Sequence, residues 1–451
     1  MQHVTDDAYL SEKIMNEIKT SVIVTYKKLN EAVTKALSKD QTTIMKAAQT
    51  PPAGGWEADD EPPTAKDIAE LTEELSKALK VLEEKEEVPG VFVSADDRFA
   101  SLLQSFVAEG AAGIGKVEAK TGGEFEAQFD EHDVLGWTGS LLTWIKKLRP
   151  HQWQTALSTP DQLSNSLRVA VLGDWGSGLY GAPVCAASIQ NDAKGYGMLL
   201  HLGDVYYSGT DSEIKSRFLN LWPKIANTVN RACNANHEMY TGGYAYFNSV
   251  LKTFTQPASY FALQNDHWLL VGLDSAYKEW EFANDQIAWF RSLIQNAGDR
   301  KVILFTHHQP FSWADKTKGK MAAQLAEFLT AAKIFAWYWG HEHRCMIFDR
   351  HAAWGIYGRC IGHSGYPYFT DKFTDGHIVQ RGAQNSSWRQ VAAKNLVPGG
   401  LILQGPNLYV PVHENKYGPN GYLTLEFDGT RLNETVQAPD GSELYNREVK
   451  P

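Results

Sequence analysis

The chain is poor in what would mark several common classes. It has only four cysteines in 451 residues, too few for a disulfide framework to carry the fold. No apolar run approaches the length of a membrane span. Positive charge is not in excess: the formal net charge is −10, so bulk attraction to nucleic acid or to an anionic membrane is not expected. The first residues, Met1 to Asp7, lack a basic region followed by an apolar core, which leaves a cytoplasmic location as the default expectation. Internal repeats are absent. What remains is an ordinary soluble composition, 43% hydrophobic and 21% charged, in a chain long enough for two or three domains.

The first third reads as helical. Leu10, Ile14, Ile18, Val22, Leu29, Val33 and Leu37 keep a helical stripe across residues 6–47. The segment 51–63 is rich in proline and glycine and reads as a linker. Thr64 stands three before Asp67, an acidic variant of the capping box, and Ile68, Leu71, Leu75, Leu79 and Leu82 follow as a second stripe. The two stripes are expected to pair with each other; self-association of the protein through them is the alternative. Residues 95–109 and 138–148 also read as helices. Gly110 to Lys116 imitates a phosphate-binding loop, but no strand precedes it and Val117 lacks the hydroxyl that the motif needs. The expected organisation is a mostly helical accessory region over residues 1–160 and a catalytic domain over 161–451.

From Leu167 the texture changes to alternating strands and helices, the α/β pattern. Two apolar runs end in Gly-Asp: Arg168 to Asp174, and Met198 to Asp204. Such runs read as buried parallel strands, and ligands of α/β sheets sit beyond their carboxyl ends. A helix is expected over 211–227. The turn Asn265-Asp266 between two apolar runs signals a hairpin. Strands are expected over 301–306 and 334–339, with helices over 284–297 and 319–332.

Potential metal ligands recur at or after these strand ends: Asp174, Asp204 with Tyr207, Asn236 with His237, His307 beside His308, and His341 with His343. Carboxylate, amide oxygen and imidazole suit iron, manganese and zinc. If the segment is extended, His341 and His343 point the same way, and each can serve a different ion. Two cations about 3.5–4 Å apart clamp the attacking and leaving oxygens of a phosphoryl transfer. Strand register favours His307 over His308 as a ligand, and Tyr206 competes with Tyr207.

These pieces resemble the calcineurin-like metallophosphoesterase superfamily, and within it the purple acid phosphatase branch. The branch pattern is matched by Asp174-Trp-Gly176, Gly203-Asp204-Val-Tyr-Tyr207, Asn236-His237-Glu238, His307, and Gly340-His341-Glu-His343, with Ala235 where glycine is usual. The resemblance spans residues 167–368 and omits the first third. It implies a four-layer α/β/β/α sandwich with an added helical N-terminal region. It also implies two metal ions: Asp174, Tyr207 and His343 on the first, Asp204 bridging, and Asn236, His307 and His341 on the second. The tyrosine implies Fe(3+) at its site, since a phenol with pKa near 10 needs a strong Lewis acid to bind as phenolate; Fe(2+), Mn(2+) or Zn(2+) would fill the other. A metal-bound hydroxide would attack phosphorus, with His237 stabilising or protonating the leaving oxygen. His308 and His363 are expected toward the substrate. The expected reaction is hydrolysis of a phosphate ester, a monoester before a diester; a non-catalytic scaffold and an effector are the other readings.

Overall fold

The computed structural model describes residues 64–85, 97–111, 148–313, 320–370, 376–410 and 414–450. The 6–47 stripe, the 51–63 linker, most of the 138–148 segment and the loop from residue 112 onward lie outside the described residues. The chain divides into two compact units. One contains residues 1–151, 206–220 and 237–245, and the other 152–205, 221–236 and 246–451.

In the first unit, helix α1 (Ala65–Lys85) and helix α2 (Arg98–Ala111) pack against each other. The start of α1 is set by the Thr64–Asp67 pair. Thr64 donates its backbone N–H and hydroxyl to Asp67 Oδ2 at 2.8 and 2.7 Å, and the Asp67 N–H donates to Thr64 Oγ1 at 3.2 Å. Three donors at the helix start are thereby satisfied. Leu75 and Ala78 lie fully buried on α1, as do Ala100, Leu102 and Leu103 on α2. Asp97 opens α2 by accepting the Ala100 N–H at 2.9 Å.

The second unit holds two sheets. In the smaller, β16 (Glu443–Glu448), β15 (Arg431–Gln437), β14 (Tyr422–Asp428), β2 (Ser166–Leu172), β3 (Met198–His201) and β4 (Val229–Ala232) lie side by side in that order. In the larger the order is β1 (Asp161–Gln162), β5 (Phe261–Gln264), β6 (Trp268–Gly272), β7 (Lys301–Thr306), β8 (Ile334–Trp339), β10 (Tyr357–Ile361), β9 (Cys345–Arg350), β13 (Gly400–Gln404), β12 (Ser387–Val391) and β11 (His377–Arg381). Each sheet has a parallel core: β2–β3–β4 in one and β6–β7–β8–β10 in the other.

The sheets share one apolar core. Val169 and Val171 of β2, Leu200 of β3 and Leu423 and Leu425 of β14 pack in one cluster with Leu270, Ile303, Phe305 and Tyr338. Alternate residues of the larger sheet, Val271, Leu304, Trp337 and Trp339, belong to a second cluster that also holds Phe290 and Leu293 of helix α4 (Gln286–Gln295). Helix α3 (Gly181–Asn191), which buries Cys185 and Ile189, makes the crossover between parallel β2 and β3. The result is a four-layer α/β/β/α sandwich.

A buried ion pair ties the sheets together. Arg359 of β10 donates through Nε to Glu434 of β15 at 2.9 and 3.0 Å, and the Tyr338 hydroxyl donates to the same carboxylate at 2.6 Å. All three side chains are buried.

The hairpin forms as expected: β5 and β6 are antiparallel, and Asn265 Oδ1 accepts the N–H groups of His267 and Trp268. The helix expected over 211–227 is shorter. An α-turn over Asp211–Glu213 runs into a π-helix over Ile214–Leu219, and helical structure stops there, four residues before Pro223. The 319–332 segment forms two short helices, Met321–Gln324 and Ala326–Thr330. All four cysteines are buried free thiols.

Candidate metal centre

The parallel cores end on the same chemistry. Beyond β2 comes Asp174, beyond β3 Asp204, beyond β4 Asn236, beyond β7 His307, and beyond β8 His341 and His343. All six belong to the second unit, and the structure brings them together.

Asp204 is fully buried. Its Oδ1 lies 3.3 Å from His307 Nε2, and its Oδ2 lies 3.8 Å from His343 Nε2. One carboxylate therefore presents an oxygen to each of two imidazoles. On one side, His307 Nε2 lies 2.8 Å from Asn236 Oδ1 and 3.1 Å from His341 Nδ1. On the other, His343 Nε2 lies 3.5 Å from Asp174 Oδ1.

His307 Nδ1 lies 2.9 Å from the Leu202 carbonyl. The carbonyl can only accept, so Nδ1 carries the hydrogen and neutral His307 presents a lone pair at Nε2. That lone pair faces an amide oxygen and a carboxylate oxygen, which are also lone-pair donors. Such a convergence repels itself unless a proton or a metal ion lies among the atoms. The donor set thus fits metal ions; Asp174, Asp204 and His307 offer ligand atoms within 4.8 Å of one another, as do His307, His308 and His341.

Backbone geometry makes the approach possible. Asp174, Asp204, His341 and His343 have φ of 56°, 74°, 67° and 52°. Non-glycine residues rarely adopt this region, each at a cost of order 1 kcal/mol or more, and such strain collects at functional sites. The 341–343 segment is therefore not extended. Its two imidazoles reach different partners through left-handed turns, not through strand alternation. Gly340 is required by space: a Cβ there would meet Asp174 Oδ2 at 2.7 Å. Asp174 in turn accepts the His341 N–H at 3.0 and 2.9 Å on its two oxygens. Ala235 is accommodated because position 203 is glycine; a Cβ on Gly203 would lie 2.5 Å from that of Ala235.

His308 is fully buried beside this group, its ring centroid 4.7 Å from His341 and 4.9 Å from His307. The Ser275 hydroxyl accepts the His308 backbone N–H at 3.1 Å and lies 3.0 Å from His308 Nδ1. Burial holds the His308 pKa well below the ordinary histidine range, with His341 and His307 adding to the effect. Its Nε2 has no hydrogen-bond partner among the described residues. His363, beyond β10, is also fully buried, neither ring nitrogen has such a partner, and burial lowers its pKa to about 3.

Tyr207 and His237 lie in the first unit. Both are buried, and His237 Nδ1 lies 2.6 Å from the Tyr207 carbonyl. Tyr206 stacks edge-on against the His237 ring at 3.8 Å.

Three neighbours complete the surroundings, of which sequence reasoning missed Trp280 and Ser275. The Trp280 ring lies 4.4 Å from His308 and 5.3 Å from His341. Ser275 orients His308. Glu342 is buried, accepting Trp339 Nε1–H at 2.8 Å and the Ser312 hydroxyl. Only Glu342 carried a signal, its place between two candidate ligands.

Residues 167–345 match the family model of the calcineurin-like phosphoesterases. That match covers somewhat under half of the chain's length. Among solved structures, it is similar to a purple acid phosphatase, PPD1, from yellow lupin (Lupinus luteus) seeds, at 13% identity and TM-score 0.41, covering 65% of this chain and 55% of that one. It is also similar to GAP50, the anchor in the inner membrane complex of Plasmodium, at 12% identity and TM-score 0.45, covering 63% and 89%. PhoD is similar at 10% identity and TM-score 0.38, covering 65% and 73%. The chain spans little more than half the length of the lupin protein. No curated protein sequence matches the chain. Among the described residues, no helix is long and apolar enough to cross a membrane.

Proposed function

We propose that the protein hydrolyses phosphate monoesters with two metal ions. The observation that carries this reading is Asp204, whose oxygens are offered separately to His307 and His343. In the proposal Asp204 bridges, Asp174, Tyr207 and His343 hold one ion, and Asn236, His307 and His341 hold the other. Tyr207 joins the set by its place three residues after Asp204, and its phenolate favours Fe(3+) there with Fe(2+), Mn(2+) or Zn(2+) at the second position. When bound, such a pair activates water near neutral pH and neutralises charge on the phosphate.

The chain's own groups supply the rest. His237, the residue after Asn236, donates Nδ1–H to the Tyr207 carbonyl, which assigns proton exchange with the leaving oxygen to Nε2. Ser275 takes the His308 backbone N–H, so its own proton is directed to His308 Nδ1 and the imidazole N–H sits at Nε2. That N–H is a donor for a substrate phosphate oxygen. His363 is assigned a second substrate contact on the strength of its two unpartnered ring nitrogens. The helical region 1–160 is assigned an accessory role, with the catalytic domain over 161–451.

The test is turnover of p-nitrophenyl phosphate and bis(p-nitrophenyl) phosphate by protein loaded with iron, manganese or zinc. Monoester turnover that disappears in Asp204→Asn is expected. Preference for the diester would reassign the substrate class. No turnover of either ester, with metal bound, would reject the enzyme reading in favour of a scaffold. A broad visible absorption band is expected of the iron-loaded protein; an active, colourless, manganese-loaded form would remove Fe(3+) from the proposal.

A further inference from the structure

The sequence before residue 160 has no chemical motif of its own, yet Ser105 of α2 reaches the segment that carries Tyr207. The connection runs through Glu213, a carboxylate with no exposure. Glu213 Oε1 accepts the Tyr207 N–H at 2.7 Å, the Ser105 hydroxyl at 2.8 Å and Arg217 Nη1 at 3.3 Å. Its Oε2 accepts the N–H groups of Ser208 and Thr210, both at 3.1 Å. Five donors on one buried carboxylate satisfy its lone pairs and leave the charge compensated. The hydroxyl protons follow from this. Ser105 gives its proton to Glu213, so at 2.6 Å the Ser208 hydroxyl donates to Ser105. Arg217, held also by the Tyr206 carbonyl at 3.2 Å, stands over the Tyr207 ring at 5.4 Å.

Ser105 stands 103 and 108 residues from its partners Ser208 and Glu213. Neither a turn nor a local cap requires it. Thr210 with Glu213 already forms a complete capping box, so the loop has its local stop without α2. What α2 adds is a tether on the backbone of residues 207 and 208.

We propose that Ser105 of α2 is a positioning residue for Tyr207, acting through Glu213, and that this is a task of the accessory region. The inference rests on the proposed place of Tyr207 in the metal site. Ser105 touches neither substrate nor metal in this scheme; it fixes the backbone from which the phenol projects.

The test uses the full chain with Ser105→Ala, Ser105→Thr and Glu213→Gln. Hydrogen exchange at the Tyr207 and Ser208 amides needs neither metal nor substrate. Ser105→Ala is expected to speed exchange there roughly tenfold, the effect of losing one hydrogen bond to a buried charge, with β2 and β7 amides unchanged. Iron-loaded Ser105→Ala is expected to lose kcat/KM by a similar factor and to shift the visible band, and Ser105→Thr, which keeps the hydroxyl, to restore all three. Glu213→Gln is expected to act in the same direction and more strongly. Unchanged exchange in both Ser105→Ala and Glu213→Gln would overturn the tether. Faster exchange with unaltered band and kcat/KM would overturn the positioning role. If the wild-type protein hydrolyses no ester, the proposed function fails, while the exchange measurement still decides whether α2 holds the loop.

Discussion

Gly340→Ala tests the site with one methyl group. Gly340 has no positive φ, so alanine is compatible with its backbone. The new Cβ would lie 2.7 Å from Asp174 Oδ2 and 3.5 Å from both His307 Nδ1 and Leu202 Cβ. The carboxylate is the movable partner. It must swing away, and in doing so it loses the His341 N–H, now bound at 2.9 Å. A hydrogen bond to a buried carboxylate contributes about 1.5–3 kcal/mol, so affinity for the ion on the Asp174 side should fall about 10- to 100-fold. Calorimetric titration of metal-free protein with Mn(2+) or Zn(2+) measures this directly, and p-nitrophenyl phosphate turnover at limiting metal should fall in parallel. Gly298→Ala, at φ 59° with nothing within 4 Å of the added Cβ, strains the backbone away from the site and should leave metal affinity unchanged. Wild-type metal affinity in Gly340→Ala would refute the assignment of Asp174 as a ligand.

Two further predictions concern stability. Glu434→Gln leaves the Arg359 guanidinium buried between the sheets without its counter-charge, and should cost about 3–5 kcal/mol in urea unfolding; a loss below about 1 kcal/mol would show that the pair does not tie the sheets. His201 and His363 are both held by burial to pKa values of about 3, against about 6.5 for unfolded histidine. Both stay neutral in the fold where the unfolded chain binds protons. Their stabilising effect is therefore complete above about pH 6.5 and is lost as pH falls from there toward 3, by about 1.4 kcal/mol per pH unit for each ring. Urea midpoints should drop through that window, less steeply in His363→Asn. A midpoint independent of pH from 6 to 4 would contradict the buried, neutral rings.

Much of the second unit could be read from residues alone, because its parallel strands end abruptly in polar groups. Asp174 and Asp204 are legible as Gly-Asp after apolar runs, and β2 and β3 do lie side by side and parallel. His307, His341 and His343 follow from the same logic on β7 and β8. Local conformation was less legible. The left-handed backbone at His341 and His343 lies where Asp174 packs closely on Gly340 and Gly362, whose Cβ positions would lie 2.7 and 2.5 Å from its Oδ2, contacts between distant segments that no local pattern announces. Trp280 is invisible for a similar reason: nothing in its own neighbourhood marks it, and its ring meets His308 and His341 only once β6, β7 and β8 are aligned. The helix beyond Asp211 keeps its apolar spacing past the point where the π-turn at 214–219 ends it. Ser105 looked like an ordinary helix residue, since its partners are more than a hundred positions away.

The central claim is that two cations share Asp204. Anomalous diffraction from crystals of the manganese- or iron-loaded protein tests it most directly. The account predicts two peaks about 3.5–4 Å apart, one beside Asp174 and His343, the other among Asn236, His307 and His341, with Asp204 between them. A single peak, or ions bound away from Asp204, would contradict it.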